Sequence, residues 1–177
     1  MMEEKKKDKK KKICIIILLL LILACSASAG IILWKKYAAP ISPDYPPQGT
    51  QANQIPVEGD ESEKMDSPSG GGAINVTYGL SAQVSLIDGK VSLYYANPHS
   101  SNQNVAITIM VGDVVVAKSD MITPGNQVLE LELEGYAKTK LAEGGYNAEL
   151  VIRAYDPESG EKAMIDTKGE ITLTVEK

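Results

Sequence analysis

Twenty-two consecutive residues, Ile13 to Trp34, carry no charge, and that run divides the chain before any other pattern is read. At about 1.5 Å of rise per residue, such a stretch crosses the roughly 30 Å hydrocarbon core of a bilayer as one helix. Seven lysines between Lys5 and Lys12 precede it, and only Lys35 and Lys36 directly follow. The positive-inside bias therefore places the N-terminus in the cytoplasm and everything after the run outside. Trp34 closes the run, where an amphipathic ring sits at the lipid boundary. The expected organisation is a cytoplasmic basic tail over 1–12, a transmembrane signal-anchor over 13–34, a linker over 35–72 and a folded domain over 73–177.

Two other fates compete for the apolar run. Its most apolar part, Ile13 to Ala24, has the size of a signal-peptide core, and Ala27-Ser28-Ala29 is a small-residue pattern open to cleavage after Ala29. Ile22-Leu23-Ala24-Cys25 is similar to a bacterial lipobox, which would make Cys25 a lipidation site and tether the chain by another route. The apolar character resumes at Ile31 to Trp34 and ends in Lys-Lys-Tyr. A membrane span ends that way, which favours the uncleaved anchor.

The remainder excludes several chemistries. From Tyr37 onward there are 9 basic and 20 acidic residues, a balance that nucleic acid phosphates repel, so no nucleic acid partner is expected. Both cysteines, Cys14 and Cys25, lie in the apolar run, leaving the outer part without thiols for a disulfide, a zinc site or a nucleophile. One histidine makes a histidine-based metal site a poor candidate, and no cofactor is expected.

Six of the nine prolines fall between Tyr37 and Gly72, with acidic residues at Glu58, Asp60, Glu61 and Glu63 and a Ser69-Gly70-Gly71-Gly72 end. That composition predicts a disordered, semi-extended linker. From Ala73 the pattern turns to period two, with strands expected at 80–87, 90–96, 104–111, 114–119, 126–133, 145–155 and 163–175, and an eighth, edge strand at 74–78. In Val128 to Glu134 the alternation points Leu129, Leu131 and Leu133 inward and the glutamates to water. Asp88-Gly89, Gly112-Asp113, Thr123-Pro124-Gly125-Asn126 and Asp156 to Gly160 supply the turns. About seven short strands so spaced predict an all-β fold, an immunoglobulin-like antiparallel β-sandwich.

Leu141 to Ala148, with Gly144-Gly145-Tyr146 at its centre, resembles the tyrosine corner of immunoglobulin-like domains. Together with Tyr95-Ala96-Asn97-Pro98, Leu131 to Leu133 and Tyr155-Asp156-Pro157-Glu158-Ser159-Gly160, it makes Ile74 to Val175 resemble the Ig-like extracytoplasmic domains of uncharacterised membrane-anchored proteins of Gram-positive bacteria. The resemblance implies that the Tyr146 hydroxyl bonds back to upstream backbone. It also implies that Ala148 takes the place of the second disulfide cysteine of antibody domains, so aliphatic packing replaces the disulfide.

Candidate sites are few. His99-Ser100-Ser101 has the residue types of a nucleophile and base, but no oxyanion-hole pattern flanks it, and an exposed loop histidine is the expected role. Asp156, Glu158 and Glu161 could offer oxygens to calcium, yet lack EF-hand spacing and are expected as a solvated hairpin tip. Tyr94 and Tyr95 must point to opposite faces, and Tyr95 is taken as the exposed aromatic. The polar loop carrying Asn97, His99, Asn102 and Asn104 is the candidate interaction loop. These features favour a membrane-tethered, non-enzymatic protein whose outer domain contacts an unknown envelope protein, while residues 13–34 contact lipid. The alternatives are a small-ligand or glycan-binding module and an Ig-like protease inhibitor working through loop 97–104.

Overall fold

The computed structural model describes Pro47, residues 49–66 and residues 72–177. The chain divides into two compact units, Met1–Ala38 and Ala39–Lys177, and every described residue belongs to the second. The expected span over 13–34, with Cys25, lies outside the described residues. Among those described, no helix is long and apolar enough to cross a membrane.

Alternation is cleanest at the C-terminal end, where Ile171, Leu173 and Val175 are buried and Glu170, Thr172, Thr174 and Glu176 are exposed. Only a strand with one face on a core satisfies that period. The same logic builds the element order β1 (Ile55–Pro56), β2 (Thr77–Tyr78), β3 (Ser81–Ser85), β4 (Lys90–Asn97), β5 (Asn104–Val111), β6 (Val114–Lys118), β7 (Asn126–Glu132), α1 (Gly135–Lys140), β8 (Gly144–Tyr155) and β9 (Thr167–Glu176). The expected strands from 80 to 155 are present with ends shifted by a few residues. The expected edge strand at 74–78 is reduced to β2.

All strands join one curled sheet in the order β1-β7-β4-β3-β9-β8-β5-β6, with β2 paired to β4 beside β3. Neighbours are antiparallel except β3 and β9, which run parallel from Ser81 opposite Thr172 to Ser85 opposite Glu176. The ends of the sheet approach each other, because Glu134 N–H donates to Val116 O at 2.9 Å and Ala117 bridges Leu133. The curl encloses one core in which Val84, Tyr95, Ile107, Leu150, Ile152 and Leu173 are fully covered. Each such aliphatic side chain contributes about 1.5 to 3 kcal/mol on burial, against the entropy of ordering the chain. Between β5 and β6 the hairpin turns at Gly112, whose φ of +57° a side chain would strain.

Three departures from the sequence pattern matter for function. The first is a bulge. Between the pairs Ser92–Glu130 and Tyr95–Val128 the register of β4 and β7 shifts by one residue, so Leu93 and Tyr94 together face Leu129. The shift corrects the expected inward trio. Leu131 is buried and Leu133 partly so, but Leu129 is 46% exposed, and Val128 takes the inward place opposite Tyr95.

The second departure is at the last strand, which begins at Thr167 instead of 163. Residues 163–166 belong to the preceding connection.

The third concerns the expected linker. Residues 49–66 run along the domain as a strap, with Ile55 opposite Gln127 and Pro56 opposite Asn126 at the β7 edge. Backbone bonds join Gln51 N–H to Met121 O at 2.8 Å, Met121 N–H to Gly49 O at 2.9 Å and Val57 N–H to Gly125 O at 2.9 Å. Side-chain amides complete the attachment. Gln51 Oε1 accepts from Asp120 N–H at 2.7 Å, Gln54 Oε1 from Thr123 N–H at 3.0 Å, and Asn53 Nδ2 donates to Glu130 O at 2.7 Å. Low hydrophobicity predicts that such a segment builds no core, and it builds none. It docks by hydrogen bonds to a sheet edge that would otherwise present unpaired backbone groups.

Candidate interaction surfaces

The polar loop between β4 and β5 was the natural candidate for contact, and the fold turns most of it inward. Asn97 ends β4 fully buried, where its Nδ2 donates to Gln103 O and Ile122 O, each at 3.0 Å. Asn102 Oδ1 accepts from Ala73 N–H at 2.7 Å, and its Nδ2 donates to Met65 O at 3.1 Å. Asn104 is half-buried at the start of β5, opposite Tyr155. Of the four candidates only His99 is exposed, and its backbone N–H donates to Asp60 Oδ2 at 2.6 Å. Ser62's hydroxyl first, then that His99 N–H, hold the Asp60 carboxyl below the ordinary aspartate range. Met65 N–H donates to Ser100 O at 2.8 Å. The strap and residues 73–75 thus cover much of the loop, leaving His99 as its exposed candidate and Asn97 inside.

Ser101 is equally committed. It is buried, its Oγ accepts from Asn75 N–H at 2.9 Å and donates to Asn75 O at 3.1 Å. A hydroxyl so engaged is no free nucleophile.

Tyr95 is also corrected. It is 0% exposed, whereas Tyr94 is 39% exposed. Burial pushes the Tyr95 phenol well above its usual range, and its hydroxyl finds no partner among the described residues. Tyr146, expected as a corner, does bond back to upstream backbone: its hydroxyl donates to Ala142 O at 2.9 Å and accepts from Ala142 N–H at 3.1 Å.

The surface that sequence reading missed lies between β8 and β9. Leu150 and Ile152 point into the core, so Arg153, the sole arginine of the chain, stands on the opposite face of β8. It is nevertheless buried, with Nη1 donating to Thr108 Oγ1 at 3.0 Å and Nε pairing with Asp166 Oδ2 at 3.2 Å. Lys162 Nζ pairs with Asp166 Oδ1 at 2.9 Å, and Ala163 N–H donates to Ala154 O at 2.8 Å. The connection is therefore pinned on both sides of Met164 and Ile165, which are 99% and 81% exposed. At its other end Asp156 Oδ1 accepts from Ser159 N–H at 2.7 Å, the Ser159 hydroxyl at 2.9 Å and Glu158 N–H at 3.0 Å. These bonds, Ser159's foremost, hold the carboxyl below its ordinary range and tie the hairpin tip together. Among the described residues no three His, Cys, Asp or Glu side chains gather as a metal site.

No family model and no curated protein matches the chain. Among solved structures it is similar to the crystal structure of AggA, the major subunit of aggregative adherence fimbriae type I from Escherichia coli. The identity is 12% over 63% of this chain and 100% of that one, with a TM-score of 0.29, a value that settles neither fold nor function.

One open cleft of about 650 Å³ lies on the sheet, with Leu80 and Met110 at its sides and Ala148 and Ile171 among its lining. Glu149 and Glu170 stand directly opposite each other there. Lys168 Nζ meets Glu149 Oε1 at 2.9 Å.

Proposed function

We propose that the chain is a membrane-tethered, non-enzymatic contact protein of the cell envelope, with an Ig-like sandwich as its outer domain. The observation that carries the tether is the uncharged run 13–34 behind seven lysines, which favours one crossing with the C-terminal domain outside. The Ig-like reading draws support from the strand order, in which β3 pairs with both β4 and β9 and so links β1-β7-β4 to β9-β8-β5-β6. The Tyr146 hydroxyl on Ala142 adds a second, independent support. A tether, a strapped edge and a small β-domain suit a module that presents surface to another protein.

Reporter fusions test the topology. A phosphatase fused after Lys177 is expected to be active and one fused after Met2 inactive, and the reverse would overturn the tether. Intact mass of the membrane-extracted protein then separates a full-length anchor from lipidation at Cys25 and from cleavage after Ala29.

A second reading, small-ligand or glycan binding, is favoured by the cleft, whose volume lies within the range of ligand sites. It predicts glycan-array binding that Leu80→Ala abolishes. Binding unaffected by that change would remove the cleft as its site.

A further inference from the structure

The connection between β8 and β9 combines two features that usually oppose each other: its side chains are apolar, and they stand in water. Among the described residues, Leu80 and Ile87 are also strongly exposed, at 74% and 76%, but each is a single side chain, whereas Met164 and Ile165 are adjacent. Isolated exposed aliphatics are ordinary on a protein surface, and contiguous ones mark contact sites. The pair is also held. Ala163 N–H on Ala154 O anchors one side, and the ion pair of buried Arg153 with the partly buried Asp166 anchors the other. A buried ion pair is a poor source of stability beside apolar packing, but it fixes one conformation of the segment that supplies it. A segment fixed before binding loses little entropy on binding, and methionine adapts to irregular recesses.

We propose that Met164 and Ile165 are the anchor residues of a protein contact, inserted into an apolar recess bordered by lysine or arginine on the partner. The partner's charge follows from the loop itself. The connection 156–166 carries four acidic residues, Asp156, Glu158, Glu161 and Asp166, against one basic residue, Lys162, which Asp166 engages. That net negative charge steers toward a basic surface. It disfavours a second copy of this chain, whose outer part has 20 acidic against 9 basic residues, and it disfavours anionic lipid for the same reason. The inference rests on the contact-protein reading above and names the surface that performs it.

The test uses the full-length chain in its membrane, with the photo-crosslinker p-benzoylphenylalanine placed in turn at Ile165, Leu80, Ile87 and Tyr94. The expected result is a protein crosslink strongest at Ile165. The crosslinked protein, once identified by mass spectrometry and purified, should bind the full-length chain at least about tenfold more weakly when Met164→Ser and Ile165→Ser are combined. Ile87→Ser should change affinity less than twofold, and raising the salt should slow association. Protein crosslinks at Tyr94 or Leu80 but not at Ile165 would overturn this assignment and leave the contact reading standing. Crosslinks to lipid or to a second copy at Ile165 would overturn the partner named here. Absence of protein crosslinks at all four positions would overturn both readings. All four side chains are substantially exposed, so misfolding is not the expected cause of a loss.

Discussion

Two loops of this domain have exchanged the roles their compositions suggest. The connection 97–104 is polar and begins with Asn97-Pro98, yet the Asn97 amide nitrogen, the His99 N–H, the Ser101 hydroxyl and the Asn102 side chain are bonded to the strap, to residues 73–75 or within the loop and its flank. The connection 156–166 contains an Ala-Met-Ile run that looks like the start of a strand, yet that run is the most exposed apolar pair among the described residues. Polarity alone does not mark a contact surface. A buried polar group left without a partner is costly, and Asn97 acts as a joint because its amide donates to Gln103 O and shares Ile122 O with the Val105 N–H. An apolar group left in water with a pinned backbone has no such internal role.

The contrast can be broken most severely at Arg153. Arg153→Ala should cost about 2 to 3 kcal/mol by removing a charged donor from Asp166 and from Thr108, read as a lower denaturation midpoint, and should speed hydrogen exchange across 156–166 but not across 97–104. Equal loosening of both loops would mean that the pair pins nothing local. Next in size, Asn97→Ala should cost about 2 kcal/mol, chiefly through the Gln103 carbonyl that it strands, while binding of the crosslinked partner stays unchanged after correction for the folded fraction. A selective loss of binding would restore loop 97–104 as a contact site. Combining Met164→Ser with Ile165→Ser should move stability by less than about 0.5 kcal/mol, seen as an unshifted urea midpoint.

The smallest effect concerns Asp60. Its folded pKa lies below the ordinary 3.8, so its bonds to Ser62 and His99 contribute fully above that value and fade as pH falls through the folded pKa. The His99 amide should therefore lose protection only in acid, and in Asp60→Asn the acid-dependent part should disappear. An Asp60→Asn chain that kept the same acid transition would assign it to another group.

The strands were legible because burial on one face imposes period two, which β3 and β9 follow, while β5 and the second half of β8 are continuous apolar-rich runs buried on both faces. The corner was legible because Gly144-Gly145-Tyr146 places a phenol where upstream backbone can reach it. The Tyr94 and Tyr95 assignment was readable but was read in the wrong phase. Counting in twos from buried Val91 passes partly buried Leu93 and arrives at Tyr95, which puts Tyr95 inside. Leu129 was not readable, since the bulge that turns it out is a property of two strands together. The strap left no periodic trace, because Gln51, Asn53 and Gln54 act through amide bonds to backbone, which no apolar pattern reports. Met164 and Ile165 were hidden in the same way. Ile165 continues the phase of Ile171, Leu173 and Val175, yet it lies in the connection, beside Asp166, which pairs with an arginine thirteen positions upstream.

Hydrogen exchange on the full-length chain, resolved at Met65, His99 and Asn102, bears most directly on the division between a sealed loop and an open one. With the strap docked, these three amides should exchange about a hundredfold or more slowly than free peptide, because they join Ser100, His99 and Asn102 of the loop to Met65, Asp60 and Ala73. Exchange of all three at free-peptide rates would mean that loop 97–104 is open to partners, and the contrast between the two loops would fail.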